Sequence, residues 1–82
     1  MTDSEAMRAA PVLIDARGLN CPLPLLKLKK AMATQAASNR YVLLATDGDS
    51  AADIAKLAQQ RGYALNTVRE ADGVLRFELT RD

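Results

Sequence analysis

The sequence contains no histidine, no tryptophan and only one cysteine, Cys21. Without histidine, neither a Cys-His nor a Ser-His nucleophilic pair can form, and the commonest transition-metal ligand is missing. A lone cysteine also offers zinc too few of its usual ligands. It cannot form an intramolecular disulfide, so nothing in the sequence points to an oxidising compartment. We therefore expect no bound metal and no cofactor.

The charge balance excludes further classes of protein. Among 82 residues, 11 Lys and Arg against 10 Asp and Glu give a net charge of +1, which provides no general attraction to nucleic acid or to a membrane surface. No apolar run approaches the roughly 20 residues of a membrane-spanning helix. Residues 1–10 lack the apolar core of a signal peptide. We expect a cytoplasmic protein with a flexible tail at residues 1–10 and a single domain at residues 11–82.

Apolar periodicity predicts the element order βαβαββ. Short apolar or alternating runs predict strands at residues 11–15, 41–45, 63–70 and 74–80, with a turn at residues 71–73. A first helix is expected to begin at Pro22, and a second to run from Ser50 to a stop at Gly62. The inward face of the first helix is expected to contain Leu25, Leu28 and Met32, and either Gln35 or Ala36 is expected to extend it. The inward face of the second helix is expected to contain Ile54, Leu57, Ala58 and Arg61.

This order predicts an α/β (α+β) two-layer sandwich, with both helices packed on one face of a mixed four-stranded sheet. A right-handed crossover makes the first two strands parallel if they are neighbours. The loops that precede the two helices then meet at the same edge of the sheet. We therefore expect Cys21 to lie close to the acidic second loop, which contains Asp47, Asp49, Ser50 and Asp53.

Cys21 precedes two prolines, Pro22 and Pro24, spaced for the first turn of a helix. This spacing predicts Cys21 at the N-cap, where the helix dipole favours the reactive thiolate. Since proline has no N–H, Leu23 is the expected first-turn donor to the sulfur. Arg17 is either a second source of positive charge or an ordinary solvated side chain. Asp15 and the acidic second loop oppose ionisation, and the sequence leaves the balance open.

The alternative interpretation of Cys21 is a small buried residue, as lone cysteines often are. The prolines and the neighbouring Gly18, which is suited to a positive φ angle, favour an accessible loop instead. A thiolate without histidine, metal or second cysteine can still exchange sulfur with a persulfide. Release of that sulfur then requires a thiol or acceptor outside this chain, which indicates a carrier.

Residues 15–24 resemble the signature of the TusA/SirA family of sulfur carriers, Asp-x-x-Gly-Leu-x-Cys-Pro-x-Pro, at all six specified positions. A weaker resemblance follows at Asp47, Ser50, Asp53 and Ile54, where the family has an acidic loop leading into Ser/Thr-x-x-Asp-Ile. The chain departs from the family at Gly48, often proline, and at residues 55–56, often Pro-Gly. The matching positions of the signature are Asp15, Gly18, Leu19, Cys21, Pro22 and Pro24.

The resemblance implies a fold like the C-terminal domain of translation initiation factor 3 and a sulfurtransferase that works as a carrier. Cys21 would accept sulfur as a persulfide from a cysteine desulfurase or a rhodanese-type donor. It would pass the sulfur to a downstream relay protein of the DsrE/TusD type. In the family the sulfur ends in tRNA thiolation, molybdenum-cofactor chemistry or sulfur metabolism.

Three further side chains beside Cys21 are candidates for partner docking. Leu23 points away from the predicted core, while Lys27 and Lys30 would attract an acidic partner or form a solvated helix face. In the second loop, Ser50 and Asp53 resemble a capping box, so we expect Asp53 to act as a helix cap, the alternative being a group that takes part in the chemistry.

Two other functions remain open from the residues alone. The first is a non-catalytic regulatory or protein-binding module that uses the same helix tip. The second is RNA binding, suggested by the fold resemblance and opposed by the low net charge and the 4% aromatic content. We expect no direct contact with nucleic acid or membrane.

Overall fold

A computed structural model describes residues 11–81, so the tail predicted at residues 1–10 lies outside the described residues. The element order is βαβαββ, as predicted, with one additional turn of 3₁₀ helix. The elements are β1 (Val12–Ala16), α1 (Leu23–Thr34), β2 (Arg40–Ala45), α2 (Ser50–Gln60), β3 (Ala64–Arg69), the 3₁₀ helix (Ala71–Gly73) and β4 (Leu75–Thr80).

The four strands form one mixed sheet in the order β1-β2-β4-β3. β1 and β2 are parallel, with Ile14 opposite Leu43, while β4 is antiparallel to both β2 and β3. The predicted parallel pairing is therefore confirmed. Since β1 and β2 run the same way, the loops that follow them emerge at one edge of the sheet, and these loops lead into α1 and α2.

The core lies between the helices and one face of the sheet. In β4 the alternation is clear, because Leu75, Phe77 and Leu79 are buried while the intervening side chains are more exposed. Leu28 from α1 and Ile54 from α2 are fully buried against this face. The opposite face of the sheet carries no helix among residues 11–81, and Leu13 is 73% exposed there.

The inward face of α1 differs from the prediction at both ends. Its buried residues are Pro24, Leu28 and Met32, which are spaced four apart and so lie on one side of the helix. Leu25 is only partly buried against the core. Either Gln35 or Ala36 was expected to extend the face, but both are exposed because the helix ends at Thr34.

The second half of the fold follows the predicted boundaries closely. Ile54, Leu57 and Ala58 are buried on α2, whereas Arg61 lies beyond the last helical residue and is exposed. Gly62 has a φ of 76°, the left-handed conformation expected after a helix C-terminus. Asp72 also has a positive φ, in the turn between β3 and β4. Within residues 11–81 no helix has the length and hydropathy needed to cross a membrane.

Candidate functional site

The loop between β1 and α1 presents Cys21 at the edge of the sheet, where its side chain is exposed. The loop leaves β1 through a turn in which Leu19 N–H donates to the carbonyl of Ala16 over 3.2 Å. Gly18 has a φ of 80°, and its N–H donates to Oγ1 of Thr46 over 2.8 Å. Thr46 directly follows β2, so this hydrogen bond joins the two loops.

Cys21 lies one residue before the helix cap, so the prediction that it occupies the N-cap is wrong. α1 begins at Leu23, and Pro22 is the cap residue, whose carbonyl accepts a hydrogen bond from Leu26 N–H over 3.1 Å. The Cys21–Pro22 peptide bond is cis. Leu23 N–H donates to the carbonyl of Asn20 over 2.8 Å. The predicted Leu23 donor to the sulfur is therefore engaged in a turn instead.

Asp47 connects the Cys21 loop to the loop before α2. Its Oδ2 accepts a hydrogen bond from the backbone N–H of Cys21 over 2.5 Å, and its Oδ1 accepts one from Asp49 N–H over 3.0 Å. Its carbonyl also accepts from Ser50 N–H at the start of α2. One aspartate therefore fixes the backbone of Cys21 against the beginning of the second helix.

Asp53 contacts the sulfur itself. The Cys21 thiol donates to Oδ2 of Asp53 with an Sγ–Oδ2 distance of 3.6 Å. The predicted capping box is wrong, since α2 is preceded by Asp49 and has no side-chain cap hydrogen bond. Ser50 is instead the first helical residue and is fully buried, and its hydroxyl has no partner among residues 11–81.

The surroundings of the Cys21 thiol, which include the acidic second loop, favour its protonated form. Shielding of the sulfur from solvent, the hydrogen bond to Asp53 and the negative charges of Asp53, Asp47 and Asp49 all raise the pKa of Cys21. The balance that the sequence left open, between the helix N-terminus and the acidic second loop, therefore falls on the side of the protonated thiol in the protein on its own. The Cys21 side chain is exposed. Of the causes that raise its pKa, the charges of the carboxylates are the ones that a single substitution can remove.

Arg17 is turned towards Asp15 rather than towards the thiol. Its Nε and Nη2 each donate to one carboxylate oxygen of Asp15 over 2.9 Å, and its backbone N–H adds a third hydrogen bond. These hydrogen bonds hold the pKa of Asp15 well below its usual range. The charge of Arg17 is thus compensated locally, which explains why it does not offset the acidic second loop.

The predicted docking residues lie on the exposed side of α1, near Cys21 in the chain. Leu23 is 46% exposed, as expected of a residue that points away from the core. Lys27 donates to the carbonyl of Asp15 over 3.1 Å, and it lines a groove between α1 and β1 together with Lys30. Leu26, at 50% exposure, was not predicted. Its position three residues after Leu23, on a neighbouring part of the helix surface, was the available signal.

A second groove runs between the two helices. It has a volume of about 260 Å³ and is lined by Leu25 and Lys29 from α1 and by Asp53 and Lys56 from α2. Asp53 thus faces this groove and also contacts the Cys21 thiol. Among residues 11–81, this site included, no group of three or more His, Cys, Asp or Glu side chains is arranged to hold a metal ion.

Comparison with known proteins identifies the family. The family model described as sulfurtransferase TusA matches residues 12–81. The chain belongs to the TusA sulfurtransferase family. Its members include sulfur carriers, and the six signature positions around Cys21 lie inside the matched region.

Individual relatives agree with this assignment. The sulfur carrier protein TusA of Allochromatium vinosum is 38% identical over 64 residues, covering 78% of this chain and 84% of the relative. A Neisseria meningitidis serogroup A protein with a provisional sulfur-carrier name is 41% identical over 61 residues, covering 74% and 82%. The crystal structure of a SirA-like protein from Desulfitobacterium hafniense superposes with a TM-score of 0.76 at 27% identity, covering 84% and 95%. The predicted family and fold are therefore confirmed.

Proposed function

We propose that this sulfur carrier holds its cargo as a persulfide on Cys21. The observation that supports the proposal is that the one thiol of the sequence is exposed, at the edge where the two helix-leading loops meet. A sulfur carrier needs an accessible thiol, and Cys21 is the only one that this chain offers.

The proposed reaction is a thiol–persulfide exchange. The sulfur of Cys21 attacks the outer sulfur of a donor persulfide, R–S–SH, and a new S–S bond forms as the S–S bond of the donor breaks. The electron pair of the broken bond stays on the donor sulfur, which takes the proton lost by Cys21. The products are a Cys21 persulfide and R–SH, with no net oxidation or reduction.

Because the chain has no second cysteine, the loading of sulfur onto Cys21 and its later release both require partner proteins. The donor we propose is a cysteine desulfurase or a rhodanese-type protein, and the acceptor is a relay protein of the DsrE/TusD type. Leu23, Lys27 and Lys30 are the proposed docking residues, to which we add Leu26 because it is exposed beside Leu23. The proposed location is the cytoplasm, and tRNA thiolation or sulfur metabolism is the proposed use of the sulfur.

Transfer of radioactive sulfur tests this function. The protein is incubated with a cysteine desulfurase and cysteine labelled in its sulfur, and protein-bound label is measured after non-reducing electrophoresis. We expect label on the wild type that dithiothreitol removes, and none on Cys21→Ser. Equal labelling of the two proteins would place the sulfur elsewhere and refute the proposal.

A further inference from the structure

We propose that Asp53 is a positioning residue that keeps the resting Cys21 thiol protonated until a sulfur donor engages it. This inference rests on the proposed persulfide function and adds a means of regulation at the same site. It begins from the hydrogen bond that the thiol donates to Oδ2 of Asp53, with an Sγ–Oδ2 distance of 3.6 Å. A carboxylate that accepts this hydrogen bond stabilises the thiol and disfavours the thiolate.

Both ends of this hydrogen bond are fixed by other contacts. The backbone of Cys21 is held by Asp47, and the first turn of α2, which contains Asp53, is held by two backbone hydrogen bonds. These run from Ser50 N–H to Asp47 and from Ala51 N–H to Gly48, over 3.1 and 3.2 Å. The thiol and the carboxylate therefore meet because two loops are joined, not because two free side chains happen to be close.

The other charges around the sulfur fall into two groups. Asp47 and Asp49 share the sign of Asp53 and oppose ionisation of the thiol in the same way. The positive side chains nearby are directed towards carboxylates and not towards the sulfur. Arg17 is bonded to Asp15, while Lys29 and Lys56 line the groove that Asp53 faces from the two helices. Asp53 is the only one of these charged groups that contacts the sulfur among the described hydrogen bonds.

This arrangement makes the reactivity of Cys21 depend on its partner. The thiol proton must leave as the sulfur attacks, and in the proposed exchange it ends on the donor sulfur. A donor that offers a cation or an N–H group to Asp53 competes for the carboxylate and releases the thiol from its hydrogen bond. A small electrophile in free solution is not held against Asp53 as a docked donor is, so it meets a protonated and weakly nucleophilic sulfur.

Alkylation of the free thiol tests the role of Asp53. Wild type, Asp53→Asn and the control Asp49→Asn are treated with iodoacetamide from pH 6 to pH 10, and the rate is followed by mass spectrometry. Removing one negative charge about 4 Å from the sulfur is expected to raise the rate at pH 7 about fivefold in Asp53→Asn and to move the inflection to lower pH. Asp49→Asn removes an equal charge without the contact, so we expect a smaller increase.

The inference is overturned if Asp53→Asn reacts at the wild-type rate, or no faster than Asp49→Asn. Asp53→Ser provides a second neutral variant if asparagine destabilises the fold, as judged by urea unfolding. Alkylation requires no sulfur donor, so this result is independent of the proposed function. Failure of wild-type sulfur loading would refute the persulfide function alone, and an unchanged alkylation profile would refute the role of Asp53 alone.

Discussion

The backbone N–H of Cys21 donates a hydrogen bond to the carboxylate of Asp47, 26 residues further along the chain. The same carboxylate accepts the N–H of Asp49, so it joins the loop before α1 to the loop before α2. The geometry of the only cysteine is therefore determined by a loop that is remote in sequence. This relationship makes the second loop as important to the site as the Cys-Pro-x-Pro segment.

Replacing Asp47 should destabilise the fold as well as the site. Asp47→Ala removes the acceptor of both backbone N–H groups, and hydrogen bonds to charged acceptors contribute about 1.5–3 kcal/mol. We expect the free energy of unfolding in urea to fall by about 2 kcal/mol. Asp47→Asn retains one carbonyl oxygen and should lose about half as much. Equal stability of Asp47→Ala and wild type would contradict this account of the loop.

The thiol of Cys21 should ionise at a higher pH than an unconstrained cysteine. Shielding of the sulfur from solvent and the nearby carboxylates raise its pKa, which lowers the thiolate fraction at neutral pH relative to an unconstrained cysteine. We expect the rate of alkylation to increase with pH and to reach its plateau later than that of glutathione measured in the same buffers. An inflection below that of glutathione would show that the helix N-terminus outweighs the acidic second loop.

Ser50 provides a test of the capping assignment. A helix cap contributes about 0.5–2 kcal/mol, and its loss in Ser50→Ala would lower the free energy of unfolding by that amount. Ser50 is instead buried with an unpartnered hydroxyl among the described residues, so we expect Ser50→Ala to be neutral or slightly stabilising. Ser38→Ala is the contrast, since the Ser38 hydroxyl is hydrogen-bonded at Arg40 and its loss should be destabilising.

Leu23 should affect sulfur transfer without affecting the chemistry of the thiol. In Leu23→Ser an exposed apolar contact beside Cys21 is removed, and we expect transfer from a desulfurase to slow about fivefold at limiting donor concentration. Leu13→Ser is the matched control, because Leu13 is also exposed but lies on the face of the sheet opposite the two helices. Equal slowing in both variants, or a changed rate of Cys21 alkylation, would argue against docking at Leu23.

Most of the fold could be predicted from the sequence, because the apolar patterns that define its helices and strands are local. The structure confirms the predicted burial of alternate residues in β4, namely Leu75, Phe77 and Leu79. It also confirms the predicted end of α2 before Gly62. The parallel order of β1 and β2 followed from crossover geometry, and it correctly brought Cys21 and the acidic second loop to one edge. These features depend on spacing within a few residues or on a rule that holds for nearly all such connections.

The details of the site were less predictable, because they depend on contacts between remote residues. Whether Cys21 or Pro22 caps α1 is decided by the turn from Asn20 to Leu23, a matter of one residue. The contact of Asp53 with the thiol requires the relative placement of two helices, which no local pattern encodes. The same limitation applies to Arg17. The sequence placed its positive charge near Cys21, but in the structure Arg17 pairs with Asp15 and does not stabilise a thiolate.

The central claim, that Cys21 carries one sulfur atom, is tested most directly by the intact mass of the protein after loading. Wild type and Cys21→Ser are incubated with a cysteine desulfurase and cysteine, and the intact mass of each protein is measured by mass spectrometry without reductant. We expect a gain of about 32 Da, one sulfur atom, on wild type alone, and its reversal by dithiothreitol. No gain on wild type, or an equal gain on Cys21→Ser, would contradict it.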